Sequence, residues 1–526
     1  MQTKIQLQVS PQTALNEHLL KQEVAQALSL SEQAQFQIKI LKRSIDARGR
    51  KIKINLGLLV AIDEPINIEK ITIAYLNVEK AKHKCHIIGA GPAGLFAALR
   101  CLELGIQPII IERGKDVKAR RRDLAAINKS LVVNPESNYC FGEGGAGTYS
   151  DGKLYTRSNK RGDIDKILKT LVFHGAGEDI LVDAHPHIGT NKLPNLIQNM
   201  RETILAYGGE IHFNTKLIDI HLKDDNAETI ELQNESGSNI VPVQKIILAT
   251  GHSARDIYEL FYAKGLEIFA KPFAMGVRVE HPQSLIDKIQ YHCGSLQEVI
   301  QTRDYLPAAS YSLVHQTKTH GVYSFCMCPG GIIAPCATSQ EEVVTNGWSP
   351  SKRNNPYANS GIVVGLDLKD FSGFQKYGPL AGMYFQKQLE SIAWEKGGKT
   401  QVAPAQNLQD FVSNKHSQVL VKSSYQPGTK SVDMQQVLGT LIGPALREGF
   451  KAFGNKMRGY LTNEAIVLGV ESRTSTPVRI PRDAEKLSHP QIKNLFPCGE
   501  GAGYAGGIVS AAMDGERCAD ALRDNL

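Results

Sequence analysis

Alternation of apolar and polar residues characterises the first part of the chain. Residues 1–82 contain three stretches in which every second residue is apolar, as expected for half-buried strands. Residues 14–29, after the first stretch, have the spacing of an amphipathic helix. A turn around Gly49 joins the second and third stretches as a hairpin. We therefore predict a small N-terminal α+β domain over residues 1–82. The alternating residues are Ile5, Leu7, Val9, Phe36, Ile38, Ile40, Ile52, Ile54, Leu56, Leu58 and Val60.

Longer apolar runs replace this alternation from residue 83 onward. A buried strand, a glycine-rich turn, a helix ending near Leu104 and a second buried strand ending at Glu112 form a βαβ unit. The order strand, glycine-rich turn and helix returns from residue 494 to the end. The further elements predicted between these units are a helix over 193–207, a strand over 210–220 and a buried strand over 245–251.

The βαβ unit carries a dinucleotide-binding fingerprint, because Gly89, Gly91 and Gly94 follow the first strand with the spacing GxGxxG. The first glycine permits a tight turn, the second lets the backbone approach a pyrophosphate, and the third lets helix and strand pack closely. The helix N-terminus offers free N–H donors to phosphate. Glu112, at the end of the next strand, can accept both hydroxyls of an adenosine ribose and would repel a 2′-phosphate. This predicts FAD or NAD rather than NADP; the alternative is a glycine-rich turn without a ligand.

The same glycine spacing occurs twice more, in less complete surroundings. The match over 142–147 has no obvious helix after it, and its alternative interpretation is a flexible surface loop. The match over 501–506 follows a strand and opens a helix, but too few residues remain for a second βαβ unit. Its glycines still suggest close approach to a ligand. Glu500 is placed to meet a sugar or polyol hydroxyl, or else it is an exposed carboxylate at a turn.

Composition narrows the class of protein. The chain of 526 residues has 60 Lys and Arg against 53 Asp and Glu, a net charge of +7, which is small for a protein that grips nucleic acid over its whole surface. Hydrophobic residues at 42% and charged residues at 21% fit a globular protein and exclude disorder, collagen and coiled coil as the main architecture. There is no signal-peptide core at the start, and the 9 cysteines are dispersed. We expect a soluble cytoplasmic protein with reduced thiols and no membrane contact.

Basic residues cluster in the N-terminal hairpin at 39–53. A solvated charged face is the simpler interpretation, and a surface for RNA or another anionic partner is the alternative. The members of this basic hairpin are Lys39, Lys42, Arg43, Arg48, Arg50, Lys51 and Lys53.

An early ribose-binding unit combined with a C-terminal glycine-rich unit resembles the two-part flavin fold. The segments GAGPAGLFAAL, FGEGGAGTYSDGKL, LATGHSARD, MGVRVEHPQ, FCMCPGG, ESRTSTPVRIPRD and PCGEGAGYAGGI, with ILKRSIDARGRKI near the start, resemble the bacterial family of uncharacterised FAD-dependent dehydrogenases. The resemblance covers almost the whole chain. It implies an α/β protein with a discontinuous Rossmann-like FAD-binding fold over 83–255 and 458–526, an inserted mixed α+β substrate or cap domain over 256–457, and the N-terminal α+β domain.

The resemblance also implies which residues contact FAD. The N-terminal βαβ would hold the ADP half, the C-terminal motif would run under the ribityl chain, and the backbone near Leu217 would contact adenine. The implied cofactor-binding residues are Gly89, Gly91, Pro92, Ala93, Gly94, Glu112, Arg113, Gly114, Gly144, Gly145, Ala146, Gly147, Gly152, Lys153, Leu217, Thr250, Gly251, Gly499, Glu500, Gly506, Gly507 and Ile508.

Three further groups of residues could carry chemistry. Cys326 and Cys328 form a CxC motif, which is interpreted as ordinary thiols, as a redox pair next to the flavin, or as part of a metal site. Arg278 and Glu280 alternate on one predicted strand and form either a structural salt bridge or a substrate-anion site with His281 as proton donor. Arg473 and Arg479 could meet an acidic substrate or the flavin, although a structural role is at least as simple.

Together these patterns predict an FAD-dependent oxidoreductase that transfers a hydride or electrons through non-covalently bound FAD. The substrate is an unidentified small molecule, and the electron donor is NAD(P)H or another protein. No second dinucleotide-binding unit is present, so a nicotinamide would have to approach the flavin in a shared pocket. The CxxxxC motif of flavin-linked disulfide reductases is absent from the first long helix. The alternatives are a reductase that saturates a C=C bond in an apolar substrate and an RNA-associated flavoprotein.

Overall fold

The computed structural model of the protein describes residues 1–31, 33–67, 70–156 and 162–524. The strands are β1 (Gln2–Val9), β2 (Phe36–Asp46), β3 (Lys53–Ile62), β4 (Lys84–Ile88), β5 (Gln107–Ile111), β6 (Glu210–His212), β7 (Lys216–Lys223), β8 (Asn226–Asn234), β9 (Gly237–Pro242), β10 (Lys245–Leu248), β11 (Phe269–Ala270), β12 (Phe273–Pro282), β13 (Val314–Gln316), β14 (Gly321–Cys328), β15 (Ile332–Pro335), β16 (Thr345–Trp348), β17 (Tyr357–Leu366), β18 (Ala403–Asn407), β19 (Thr429–Ser431), β20 (Ile466–Glu471), β21 (Val478–Arg479) and β22 (Leu495–Pro497). The helices are α1 (Pro11–Leu15), α2 (Glu17–Ala27), α3 (Pro92–Glu103), α4 (Val117–Ser130), α5 (Ile164–Phe173), α6 (Leu193–Ala206), α7 (Arg255–Ala263), α8 (Gln283–Gln290), α9 (Leu296–Thr302), α10 (Ala381–Gly397), α11 (Leu408–Val412), α12 (Gln435–Lys456) and α13 (Ile508–Asp524), with 3₁₀ turns at Gly145–Gly147, Glu178–Leu181 and Leu368–Leu380. No helix in these four ranges is long and apolar enough to cross a membrane.

The N-terminal domain contains an antiparallel sheet in the order β1-β3-β2 with α1 and α2. The predicted strands and hairpin are confirmed, whereas the helix predicted over 14–29 is two helices. The break falls at Asn16, whose extended backbone ends α1 and whose side chain accepts a hydrogen bond from Leu19 to cap α2. The domain docks on the rest of the chain through β2, where the Arg43 guanidinium lies 2.7 Å from Asp183.

A five-stranded parallel sheet in the order β22-β10-β4-β5-β6 forms the Rossmann-like part. The chain runs outward from β4 to β5 and β6, then returns to the other side of β4 with β10 and β22. In such sheets ligands bind beyond the carboxyl ends of the strands, at the point where the order reverses. Helices α3 and α13 cover one face and pack so closely that a Cβ on Gly515 would lie 2.1 Å from the Ala93 carbonyl oxygen. The α/β fold with a discontinuous Rossmann-like unit is confirmed.

The strand predicted over 210–220 is divided between two sheets. β6 ends the parallel sheet, whereas β7 begins a separate antiparallel sheet in the order β7-β8-β9. The division falls at Asn214, which has a left-handed backbone with φ of 50° and so turns the chain. The Thr215 amide then donates to the carbonyl of Glu112 at 3.0 Å, which fixes the new direction.

A seven-stranded sheet in the order β13-β14-β17-β12-β20-β18-β19 forms the larger core. Its buried face continues into the core of the N-terminal domain. β20, which was predicted within the C-terminal cofactor-binding segment, pairs antiparallel with β12 and β18 in this sheet. The domain boundary predicted at 457 is therefore wrong for β20, which belongs with the inserted domain. Nothing in the sequence indicated this, because the strands that pair with β20 lie far away in the chain. The elements that return to the parallel sheet after it are β22 and α13.

Candidate cofactor site

A cavity of about 340 Å³ lies beyond the carboxyl ends of β4, β5, β10 and β22 and extends to the edge of the seven-stranded sheet. The residues that follow these strands line it, as expected where the strand order reverses. Of the predicted cofactor-binding residues, those that line the cavity are Gly89, Gly91, Pro92, Ala93, Glu112, Arg113, Gly145, Ala146, Gly147, Gly152, Lys153, Leu217, Thr250, Gly251, Glu500, Gly506, Gly507 and Ile508.

The remaining four predicted residues lie behind the lining and allow close packing. A Cβ on Gly94 would lie 1.9 Å from the Gly89 carbonyl oxygen, and one on Gly114 would lie 2.6 Å from the backbone of Gly142. A Cβ on Gly144 would lie 2.1 Å from Thr148, and one on Gly499 would lie 3.0 Å from the Ala93 side chain. Close packing explains the glycine at each of these four positions, and their contact with the cofactor stays a prediction.

The turn between β4 and α3 is built to admit a ligand. Gly89 has φ of 107°, and a Cβ there would lie 2.4 Å from the Ala249 carbonyl oxygen. At Gly91, by contrast, a Cβ would meet only the Gly145 Cα, at 4.0 Å, because the position faces the cavity. Gly91 is also the N-cap of α3 and makes no side-chain capping bond. The amides of the first turn of α3 are thus available to a phosphate.

Glu112 lies at the end of β5, 5% exposed, and joins three loops. Its carboxylate accepts hydrogen bonds from the amides of Ala90 at 2.9 Å, Gly114 at 2.9 Å and Gly142 at 3.0 Å. A carboxylate has about four lone-pair positions, so it retains capacity for a hydroxyl at the cavity surface. The sequence predicted the ribose-facing role but not the backbone contacts.

The second glycine match, over 142–147, is not a surface loop. It is packed between α3, α4 and α6 and reaches the cavity through the turn Gly145–Gly147. Arg120, fully buried, holds it by donating to the carbonyls of Asn138 at 2.7 Å, Glu143 at 2.9 Å and Gly145 at 2.9 Å. The alternative of a flexible surface loop is therefore wrong, and Arg120 is a residue that the sequence analysis missed.

One end of the cavity suits an adenosine. The Arg113 guanidinium lies 4.2 Å from the centre of the Phe141 ring and is held by Glu136 at 2.6 Å and Asp256 at 3.0 Å. The segment around Leu217 borders the same region, where adenine contact was predicted. An apolar ring, a planar cation and backbone groups together match a purine.

The C-terminal glycine segment lines the cavity before α13. A Cβ on Gly506 would meet nothing within 4 Å, which is the open space that a ligand needs. The amide of Gly499 donates to Asp514 at 2.8 Å, and the same carboxylate is paired with Arg482 at 2.6 Å, so the turn is anchored from behind. Glu500 points to the cavity, and burial raises its pKa to about 7 against the opposing effect of Lys271.

The opposite end of the cavity is formed by the seven-stranded sheet and by residues that the sequence analysis did not single out. His252 follows β10 and lines this end; burial and the nearby Arg473 lower its pKa to about 4, so the imidazole is neutral at neutral pH. Its only sequence signal was its place in LATGHSARD. The other residues at this end include Phe325, Asn346, Gly347 and Thr474.

The predicted pair of Arg278 and Glu280 does not form. Arg278 is fully buried and pairs instead with Glu471 of β20 at 3.1 Å, while Glu280 accepts a hydrogen bond from the Ser424 amide at 2.8 Å. The His281 ring hydrogen-bonds the Tyr460 carbonyl at 2.8 Å and does not line the cavity, so the predicted substrate-anion site around these residues is wrong.

The two later arginines also differ from each other. Arg473 borders the cavity, but its guanidinium is paired with Glu342 at 2.8 Å and Glu390 at 3.1 Å, so its charge is already balanced. Arg479 stacks over Tyr504, 4.7 Å from the ring centre, and is not part of the lining.

None of the nine cysteines is joined in a disulfide in the described part of the structure. Cys326 and Cys328 both line the cavity. Cys326 is exposed to the cavity yet surrounded by protein, which raises the pKa of its thiol to about 11 while Lys153 acts in the opposite direction. Burial also raises the pKa of Cys328, against the effect of Arg278.

The cavity fits FAD in its chemistry. It presents open glycine positions, uncapped helix amides for a pyrophosphate, carboxylates for ribose and ribityl hydroxyls, and an end with an aromatic ring and a planar cation for a purine. The glycine positions at Gly91 and Gly506 are the parts that a side chain would fill.

Comparison with known proteins agrees with this fit. Residues 272–474 match the family described as FAD-dependent protein, C-terminal domain-like, and residues 1–61 match a domain of unknown function. An uncharacterized protein of Clostridium beijerinckii is 39% identical over 522 residues, which cover 96% of this chain and 95% of the relative.

Among solved structures, a geranylgeranyl bacteriochlorophyll reductase-like protein of Thermoplasma acidophilum is 11% identical, with a TM-score of 0.35 over 84% of this chain and 78% of that one. A flavoprotein/dehydrogenase of Cytophaga hutchinsonii is 10% identical, with a TM-score of 0.35 over 84% and 78% of the two chains. The chain belongs to the family of FAD-dependent proteins that its motifs indicated, and FAD is its cofactor.

Proposed function

We propose that the protein is an FAD-dependent oxidoreductase in which electrons pass between FAD and a small molecule at the end of the cavity formed by the seven-stranded sheet. The observation that carries this proposal is the continuity of one cavity from the end lined by Arg113 and Phe141 to Phe325 and Cys326 on β14. FAD, when bound, supplies hydride and electron transfer.

The chain's own residues bind and orient the cofactor in this proposal. The first-turn amides of α3 hold the pyrophosphate, and the Glu112 carboxylate accepts the ribose hydroxyls. Glu500, with a pKa of about 7, holds a proton on its carboxyl group below that pH and can donate it to a polyol oxygen. Phe325 of β14 lines the far end of the cavity, where it offers an apolar surface to the substrate.

The electron donor is proposed to be NAD(P)H or a protein. The five-stranded sheet described here holds one βαβ fingerprint, at β4, α3 and β5, and the segment after Gly506 is a single helix in the described part of the chain. A nicotinamide would therefore use the end of the cavity that the substrate also uses.

The alternative of an RNA-associated flavoprotein has less support. In the basic hairpin at 39–53, Arg43 is paired with Asp183 and Arg48 with Asp46, each at 2.7 Å. Two of the seven basic residues of the hairpin are thus paired within the chain, which reduces the positive charge that would attract RNA phosphates.

Anaerobic mixing tests the proposed function. The purified holoprotein is combined with NADH, NADPH or a reduced carrier protein, and the flavin absorbance is followed. Bleaching by one donor and recovery of the absorbance on adding an acceptor are the expected results. A bound flavin that no donor reduces, including dithionite, would refute the oxidoreductase proposal.

A further inference from the structure

β14 is distorted where its two cysteines face the cavity. Cys326 has a left-handed backbone with φ of 44°, a conformation that non-glycine residues rarely adopt. The pairing of β14 with β17 shifts its register between Phe325 and Cys328. Both thiols line the same cavity, Cys326 exposed and Cys328 buried.

The geometry is compatible with a bond between the two sulfurs. Two residues along a strand span about 6.6 Å, near the upper limit of about 6.8 Å for the Cα separation in a disulfide. The Cys328 Sγ already lies 3.3 Å from the Cys326 carbonyl oxygen, so this side chain is folded back toward its neighbour.

Two cations lie beside the pair. An Arg278 nitrogen, Nη2, lies 3.4 Å from the Cys328 Sγ. The Lys153 amino group donates to the carbonyl of Met327, between the two cysteines. Both cations lower the pKa of the two thiols, but burial raises each pKa by more, so the cations offset only part of the cost of forming the reactive thiolate. Lys153 also belongs to the segment predicted to contact FAD, so it connects the pair to the cofactor site.

We propose that Cys326 and Cys328 form a thiol/disulfide pair that passes two electrons from an external dithiol to FAD. The proposal rests on the proposed function and adds its substrate class. An external dithiol reduces the Cys326–Cys328 disulfide. The two S–H bonds of the dithiol are replaced by one S–S bond, and the protein's disulfide becomes two thiols. These thiols then re-form the disulfide, transferring two electrons and one proton to oxidised FAD and the other proton to solvent. Cys326, the exposed member, is the sulfur that the external thiolate attacks.

Anaerobic reduction by dithiothreitol tests this pair in the holoprotein. The variants are Cys326→Ser and Cys328→Ser, and Cys293→Ser is the matched control, because Cys293 is half-buried next to Thr302 and lies outside the cavity lining. Dithiothreitol should bleach the flavin in the wild type and the control, and about tenfold or more slowly in the other two variants. Wild-type rates in Cys326→Ser would overturn the proposal.

Peptide mapping of the wild type provides a second readout that does not depend on folding of the variants. The air-oxidised holoprotein is denatured, alkylated and digested. The peptide with Cys326 and Cys328 should resist alkylation until a reductant is added. Full alkylation of both thiols without reductant would overturn the proposal. FAD content, measured first, separates the two proposals: a protein without FAD refutes both, whereas bound, reducible FAD with unreactive cysteines refutes only the pair.

Discussion

Gly91 and Gly94 differ by three positions in the fingerprint but should respond oppositely to alanine. In Gly91→Ala the new Cβ would meet only the Gly145 Cα, at 4.0 Å, and would project into the cavity. The backbone there has φ of −74°, which alanine adopts without strain. The free energy of unfolding of the variant apoprotein should therefore lie within about 0.5 kcal/mol of the wild-type value. The methyl group would hold the pyrophosphate away from the α3 amides and weaken at least one charge-assisted hydrogen bond, worth about 1.5–3 kcal/mol.

That loss corresponds to a rise of about 10- to 150-fold in the Kd for FAD. Flavin fluorescence titration of the apoprotein measures it, and urea denaturation measures stability. Gly94→Ala is the contrasting variant, because its Cβ would lie 1.9 Å from the Gly89 carbonyl oxygen; overpacking of this kind destabilises by about 1–3 kcal/mol. Gly49→Ala, with nothing within 4 Å of its Cβ, is the neutral control. Unchanged FAD affinity in Gly91→Ala would refute the placement of the pyrophosphate.

Three further predictions follow from the same cavity. Glu112→Ala should raise the Kd for FAD about 10- to 150-fold. It should also lower the stability of the protein, because three backbone amides lose their acceptor. A Kd equal to that of the wild type in a fluorescence titration would show that the carboxylate does not contact the ribose. Burial raises the pKa of Glu500 from 4.5 to about 7. The contribution of Glu500 to the stability of the apoprotein should therefore be complete below about pH 4.5 and be lost as the pH rises to about 7. Urea denaturation across this pH range should show the decline in stability, and the Glu500→Gln variant should not show it. If nicotinamide and substrate share one pocket, steady-state kinetics should follow a ping-pong mechanism, with parallel lines in double-reciprocal plots when the concentrations of both are varied. Intersecting lines together with a stable ternary complex would rule out the shared pocket.

Local patterns were sufficient for the parts of the fold whose partners are near in sequence. The hairpin of β2 and β3 and the βαβ unit were predicted because alternation, glycine spacing and a strand-end carboxylate lie within short stretches. β20 was assigned to the wrong unit because its partners, β12 and β18, are distant in the chain and its apolar run fits any buried strand. Asn214 was overlooked, since a single left-handed residue leaves the apolar pattern intact.

The residues that line the cavity were largely predictable from the sequence, whereas the buried residues that hold them in place were not. The glycines and Glu112 that face the cavity follow from the chemistry of a dinucleotide. The pairing of Arg278 with Glu471, 193 residues apart, has no local signal, so the nearer Glu280 was chosen wrongly. Arg120 was missed because its role depends on three backbone carbonyls of the loop at 138–145, and backbone contacts of this kind leave no residue pattern in the sequence.

The central claim is that this cavity holds FAD without a covalent link. Denaturing the purified protein and chromatographing the released chromophore tests it most directly. We predict about one FAD per chain, fully released, with a yellow protein before denaturation. Release of FMN, or no flavin even after incubation with FAD, would contradict the account.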